Sequence, residues 1–248
     1  MRRILVVNDD GLHGDGLEPL RAALAPLGNV TVLVPERERS AASHCLTLHK
    51  PLRLRLARPG IHTLNGTPAD CARFGILHML RPRCDLVVSG INRGHNLGQD
   101  VVYSGTVAAA MEGTLLGVPS LAVSQGLRRG RADYQAAASF AALLAKRVLR
   151  GGLPRGVCLN VNVPPRPAER LKGWKAARLG ERVYDKTVTM RTDPRGDAYF
   201  WLAGRRVSGL DVPGTDVAAV KDGFISVTPL RLDATDPRLL PALGRWRL

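Results

Sequence analysis

The sequence reads as an α/β protein built on a mostly parallel sheet, and three observations point there. A continuous apolar run, Ile4-Leu5-Val6-Val7, stops abruptly at Asp9-Asp10-Gly11, as a strand buried on both faces does where it meets its loop. A helix-period segment and a second apolar run follow by Val34, giving a β-α-β unit that places two parallel strands side by side. Strand-like and helix-like segments then alternate as far as Val163.

Taken in order, the first strand covers Arg3 to Val7. Residues 16–27 carry Leu17, Leu20, Ala23, Leu24 and Leu27 at helical spacing and end at Gly28-Asn29. Val30 to Val34 form the second strand, and residues 35–43 make a polar, charged loop leaving its C-terminal end. Leu52-Arg53-Leu54-Arg55-Leu56 alternates with period two, which predicts a half-exposed antiparallel strand in a hairpin with residues 61–64. Thr67-Pro68-Ala69-Asp70 is a helix start, with a Thr cap, Pro in the first helical position and an acid in the first turn. That helix is expected to run to about Leu80. Residues 85–89 form a third apolar strand, followed by a Gly- and Asn-rich loop over 90–98. A helix over 106–116, with Ala108, Ala109 and Ala110 small enough for close packing, precedes a strand over 120–124. A helix over 134–149 and a strand over 158–163 complete the alternation. Beyond Pro164 come short β-like pieces, a short helix from Thr215 and a strand over 224–228.

With 248 residues, 45% of them apolar, the protein is long enough to bury a large core as one domain over 1–248. The division expected within it is a core of about 1–165 and an irregular C-terminal extension of about 166–248. No apolar run approaches the roughly 18 to 20 residues of a membrane helix, and the start lacks the pattern of a signal peptide, which points to a cytoplasmic protein. Cys45, Cys71, Cys84 and Cys158 are widely spaced, so they suggest neither a zinc site nor a disulfide framework but reduced, mostly buried thiols. The formal charge is +15, yet 30 of the 36 basic residues are Arg scattered along the whole sequence, and aromatics make up only 4%. That pattern argues against a dedicated nucleic-acid stripe, although a positive field draws small anions toward a site.

The chemistry gathers where three loops reach one sheet edge: the turn Asn8-Asp9-Asp10-Gly11, the loop 35–43 with Ser40, and the loop 90–98 with Asn92 and Asn96. Ligands of open α/β sheets bind at that edge. Adjacent carboxylates repel and are costly to desolvate without a cation, and these acids, hydroxyl and amides are oxygen donors suited to Mg²⁺, Mn²⁺ or Ca²⁺ rather than zinc. His44 and His49, five apart, do not make a helical zinc pair. Tyr103-Ser104-Gly105-Thr106 opens a helix, offering hydroxyls and free N–H groups to an anion. Metal donors beside a helix N-terminus suit a phosphate ester. Three other readings stay open on the residues alone. A haloacid-dehalogenase-like phosphatase would need two acids separated by one residue, whereas these are adjacent. A basic nucleic-acid module would bind oligonucleotides with steep salt dependence and no turnover. A dinucleotide-binding domain would need the G-x-G-x-x-G order that Gly11, Gly14 and Gly16 do not provide.

Asn8-Asp9-Asp10-Gly11, the Ser40 loop, Gly66-Thr67-Pro68-Ala69-Asp70, Ser89-Gly90-Ile91-Asn92 with Asn96-Leu97-Gly98, and Tyr103-Ser104-Gly105-Thr106-Val107 occur in an order that resembles the SurE family of stationary-phase survival proteins. These are metal-dependent nucleoside monophosphate phosphatases. The resemblance covers residues 1 to about 125 most closely. It implies a Rossmann-like three-layer core and one divalent ion, Mg²⁺ or Mn²⁺ with Ca²⁺ as an inactive occupant, held by Asp9, Asp10, Ser40 and Asn92. It also implies catalysis at Asp9 and Asp10, and a phosphate held by Asn96, Ser104, Gly105 and Thr106. The substrates it implies are nucleoside 5′-monophosphates, together with 3′-monophosphates and short polyphosphates. The assembly it implies is a homodimer or homotetramer in which the C-terminal extension is exchanged. His95 stands where proline is common in the family and reads as a tolerated loop substituent. Asp70 is expected to serve its helix start, Arg93 to be a solvated loop cation, and Trp174, Trp201 and Trp246 to serve packing or subunit contact.

Overall fold

The strand β1 (Arg3–Val7) lies inside a nine-stranded sheet, and Ile4, Leu5, Val6 and Val7 are fully buried. The structure is a computed structural model and describes residues 1–128, 132–184, 188–202 and 207–246. After β1 come α1 (Leu17–Leu24), closed by a 3-10 turn over Ala25–Leu27, and β2 (Asn29–Pro35), parallel to β1 with Ile4 beside Val30. The expected hairpin is present as β3 (Leu54–Arg58) and β4 (Ile61–Leu64), with β4 parallel to β2. Next are α2 (Pro68–Phe74), β5 (Leu86–Arg93), α3 (Gly105–Leu115), β6 (Ser120–Gln125), α4 (Gln135–Gly151) and β7 (Val157–Val163). Strands β4, β2, β1, β5, β6 and β7 lie side by side in that order, all parallel.

Period-two alternation sorts the buried side chains into two layers. Ile4 and Val6 join Leu17, Leu20 and Leu24 of α1 and the alanines of α4, whereas Leu5 and Val7 join Cys71 and Ala72 of α2 and Ala109 of α3. The result is the three-layer arrangement the resemblance implies. Helix α2 starts as read: Asp70 N–H donates to Thr67 Oγ1, and Thr67 N–H donates back to Asp70 Oδ2 at 2.8 Å, a reciprocal capping box. Asp70 also accepts from Thr47 N–H, so its carboxylate is spent at the helix start. The helix ends at Phe74 and continues as a wider π turn over Gly75–Met79.

Two local expectations need correction. The Leu/Arg alternation begins a strand at Leu54 rather than Leu52, and all five residues of β3 are exposed, Leu56 at 68%. As the outermost strand β3 has only β4 beside it, so alternation there selects no buried face. Asn92 belongs to the end of β5 and not to a loop, because β6 resumes pairing past Ser89 after a register shift, with Asn92 opposite Ser124.

The last third contributes more to the sheet than its composition suggests. It contains β8 (Trp174–Ala176), β9 (Arg182–Tyr184), β10 (Thr189–Thr192), β11 (Ala198–Trp201), β12 (Val207–Gly209), α5 (Asp216–Asp222), β13 (Ile225–Arg231) and α6 (Leu240–Leu243). β13 runs antiparallel to β7 and carries β8 on its other side, extending the central sheet. β9 pairs with β12, and β10 with β11, as two-stranded ribbons. Trp174, Trp201 and Trp246 are all exposed, so packing in the core of this protein is not their role. The four cysteines are free thiols, with Cys71 and Cys158 buried and Cys45 exposed. Among the described residues no helix is long and apolar enough to cross a membrane.

Candidate active site

The turn after β1 is shaped by its first residue. Buried Asn8 accepts from Gly11 N–H at 3.0 Å and donates to Gly11 C=O at 2.9 Å, closing the turn on itself. Gly11 has φ +77°, a conformation that an L side chain resists. The clamp leaves Asp9 and Asp10 projecting at the C-terminal edge of the sheet. A cavity of about 330 Å³ opens there, lined by Asp9, Asp10, Ser40, Asn92, Asn96 and Ser104. All four residues assigned to the metal by resemblance thus face one space.

Helix α3 is aimed at this cavity. Ser104 caps it, its hydroxyl oxygen accepting from Val107 N–H at 3.1 Å. A Cβ on Gly105 would lie 3.0 Å from both Asp9 Cβ and Pro68 Cγ, so a glycine there lets the carboxylate sit against the start of the helix. Thr106 is fully buried and its hydroxyl donates to Asp9 Oδ1 at 2.5 Å. Its side chain therefore orients Asp9, and what Gly105 and Thr106 offer a phosphate is backbone N–H. Asn96 is locked from three sides: its backbone N–H donates to Asn162 Oδ1, its C=O accepts from Asn160 and Asn162, and its amide donates to Ser124 Oγ, all at 2.8 to 3.0 Å. Asn92 donates to Gly94 C=O, which turns its carbonyl oxygen into the atom available as a ligand.

Electrostatically the acid pair is unstable by itself. Burial raises Asp9 above the usual carboxylate range, against the bond from Thr106. Burial, then the neighbouring charge of Asp9, pushes Asp10 up to about 6, although Arg93 N–H donates to it. A cation bound between the two would offset both effects. Among the described residues no three His, Cys, Asp or Glu side chains are placed to hold a metal ion together, so an ion bound here would draw on two carboxylates plus neutral oxygens. That set fits a hard divalent ion and not zinc. His95 is held below its ordinary range by burial, and its Nε2 bonds Val163 C=O at 2.8 Å. The half-buried ring is thus tied to β7 while lining the cavity.

Several residues here went unread in the sequence. Glu38 lines the cavity and accepts from Ser40 at 2.6 Å, and the backbone carbonyl of Asp9 accepts from Arg39 N–H, tying that loop to β1. Asn160 and Asn162, fully buried at alternate positions of an otherwise apolar strand, are visible in the sequence as an anomaly. Tyr184 and Asp100 also line the cavity, with Asp100 bonded to Tyr184 Oη and to Arg182 Nε. Nothing local marks Tyr184, because it reaches the site from the extension.

A family model described as "Survival protein SurE" matches residues 4–186. The 5′-nucleotidase SurE of Geobacter sulfurreducens is 51% identical over 99% of this chain and 94% of its own length. The 5′-nucleotidase SurE of Syntrophotalea carbinolica is 50% identical over 99% of this chain and 97% of its own. The crystal structure of a SurE protein from Aquifex aeolicus superposes with a TM-score of 0.86 at 40% identity, covering 98% of each chain.

Proposed function

The chain belongs to the SurE family, and from that premise we propose that it is a 5′-nucleotidase that uses one divalent ion, Mg²⁺ or Mn²⁺, in the cavity between β1, β5 and the start of α3. The observation that carries this reading is the junction of an acid pair, Asp9 buried and Asp10 half-buried, with a helix N-terminus, joined through the Thr106 to Asp9 bond. Asp9, Asp10, Ser40 and Asn92 would hold the ion. When bound, it supplies charge neutralisation at the phosphoryl group and makes a water more acidic.

The protein's own groups do the rest. Asn96, Ser104 and the N–H groups of Gly105 and Thr106 hold the phosphate oxygens and offset their charge as the ester bond breaks. Thr106 keeps Asp9 in one orientation, and a carboxylate of the pair takes the proton from the attacking water. Attack is in line, with no covalent phosphoenzyme. Nucleoside 3′-monophosphates and short polyphosphates present the same terminal phosphoryl group and belong to this reading. So does a single catalytic domain that assembles as a homodimer or homotetramer, supported by the exposed apolar ribbon β10–β11, where Met190 lies opposite Phe200.

Phosphate release from 5′- and 3′-monophosphates and short polyphosphates, measured with Mn²⁺, Mg²⁺, Ca²⁺ or chelator, tests the proposal. Turnover of 5′-monophosphates with Mn²⁺ or Mg²⁺, and none with chelator, is expected. Undiminished turnover in chelator would remove the metal from the mechanism, and a trapped phospho-aspartate would remove the direct attack by water.

A further inference from the structure

The loop that carries Ser40 is held in an unfavourable shape. Ala41 and Ser43, neither of them glycine, have φ of 57° and 53°, a region that costs an L residue on the order of 1 kcal/mol or more. Something outside the loop must hold it there. Ser43 is stitched to the segment before α3, its N–H donating to Tyr103 C=O and its hydroxyl to Val102 C=O at 2.7 Å. The next residue, His44, reaches further and places Nε2 2.8 Å from Glu112 Oε2.

Glu112 is the unusual partner. It lies on α3, its side chain is 1% exposed, and its other oxygen meets Arg73 of α2 at 2.6 Å. A carboxylate is expensive to bury unless both oxygens are paired, so nothing about helix packing alone calls for it. Neither Glu112 nor His44 lines the cavity holding Asp9 and Asp10. The same helix thus presents its N-terminus to Asp9 and, one face along, a buried carboxylate to the loop that delivers Ser40 and Glu38.

We propose that Glu112, acting through His44, is a positioning residue that latches the Ser40 loop into the strained form in which Ser40 can complete the donor set. The latch rests on the metal reading given above. Arg73 serves as the fixed counter-charge that keeps Glu112 ionised from the α2 side, while His44 is the releasable half on the loop.

Two measurements on the full-length protein separate the latch from the metal site. Hydrogen exchange of the metal-free protein reads the loop directly: His44→Ala and Glu112→Gln are expected to speed exchange across residues 36–49. Mn²⁺ titration reads the consequence: both variants are expected to bind Mn²⁺ about tenfold more weakly, as loss of a residue supporting a ligand typically does. Arg73→Lys, which keeps a counter-charge for Glu112 on the α2 side and leaves the His44 contact in place, is expected to keep wild-type Mn²⁺ affinity. Unchanged exchange in His44→Ala overturns the latch whatever Mn²⁺ does, as does equal weakening by Arg73→Lys, which would mark Glu112 as merely structural. Faster exchange with unchanged Mn²⁺ affinity overturns the coupling to Ser40. Failure of the wild type itself to bind Mn²⁺ overturns the metal reading and the coupling with it.

Discussion

The core through β7 and the segments beyond it solve the problem of apolar surface in opposite ways. In the core most residues of β1, β2, β4, β5, β6 and β7 are buried between two helical layers, the outermost β3 being the exception, whereas Met190, Phe200, Trp201 and Leu202 of the extension stand 59% exposed or more. An isolated two-stranded ribbon has no second layer to cover it, and a patch of that kind on a folded protein marks a contact surface. The contrast is not one of function against decoration, because the extension also reaches the site. Asp216 at the start of α5 is fully buried and accepts from Gly98 N–H at 2.9 Å and from Gly180 N–H at 2.7 Å, joining a core loop to the segment that brings in Tyr184. The cavity that holds the acid pair is therefore built mainly by the core, and one wall of it is supplied from outside the core.

The largest effect expected lies wholly on the core side. Asp9→Asn removes a charge from the donor set without changing volume, so kcat/KM for a 5′-monophosphate should fall by about 10³-fold or more, several kcal/mol of transition-state stabilisation. Circular dichroism should be unchanged. A variant that keeps near wild-type turnover in excess metal would move the chemistry away from this acid pair.

The junction is the next point at which to break the comparison. Asp216→Ala leaves the N–H groups of Gly98 and Gly180 without their acceptor, a cost of about 1–3 kcal/mol for each buried donor. For a protein of this size that corresponds to a melting temperature lower by roughly 10 °C, with KM raised as the Tyr184 wall loosens. Calorimetry paired with kinetics checks both, and an unchanged melting temperature would mean that the extension is appended to the core and not built into it.

The smallest effect on the protomer, and the sharpest on assembly, is expected at the ribbon. Phe200→Asp touches an exposed position, so the stability of the protomer should shift by no more than about 0.5 kcal/mol. Light scattering should nevertheless report a smaller particle. An assembly that survives the charge would place the interface elsewhere.

Legibility in the sequence follows the same division. Strands β1, β2, β5, β6 and β7 are readable within a residue or a few of their ends, because burial on both faces requires a continuous apolar run. The helix caps at Thr67, Ser104 and Thr215 are equally plain, since a hydroxyl at a helix start accepts from an N–H a few residues on, and a Pro at the first position has no N–H to leave unpaired. At the site, Asp9, Asp10, Ser40, Asn92, Asn96 and Ser104 can be named from sequence, because each sits beside a recognisable turn or cap. Thr106 reads as a phosphate contact, whereas its hydroxyl serves Asp9 instead. β3 misleads because alternation carries information about a face only where a second layer exists to bury it.

What the order of residues determined by itself was the periodic part: which runs become strands, where the helices begin, and that acids, a hydroxyl and amides would meet at one sheet edge. Those facts depend on neighbours a few positions apart. Only the folded arrangement decided that Glu112 would face His44, that Asn162 would hold Asn96, and that Tyr184 would close a cavity built around Asp9. Each of these pairings spans more than sixty residues, and buried polar groups find such partners only after packing has removed the water that would otherwise satisfy them.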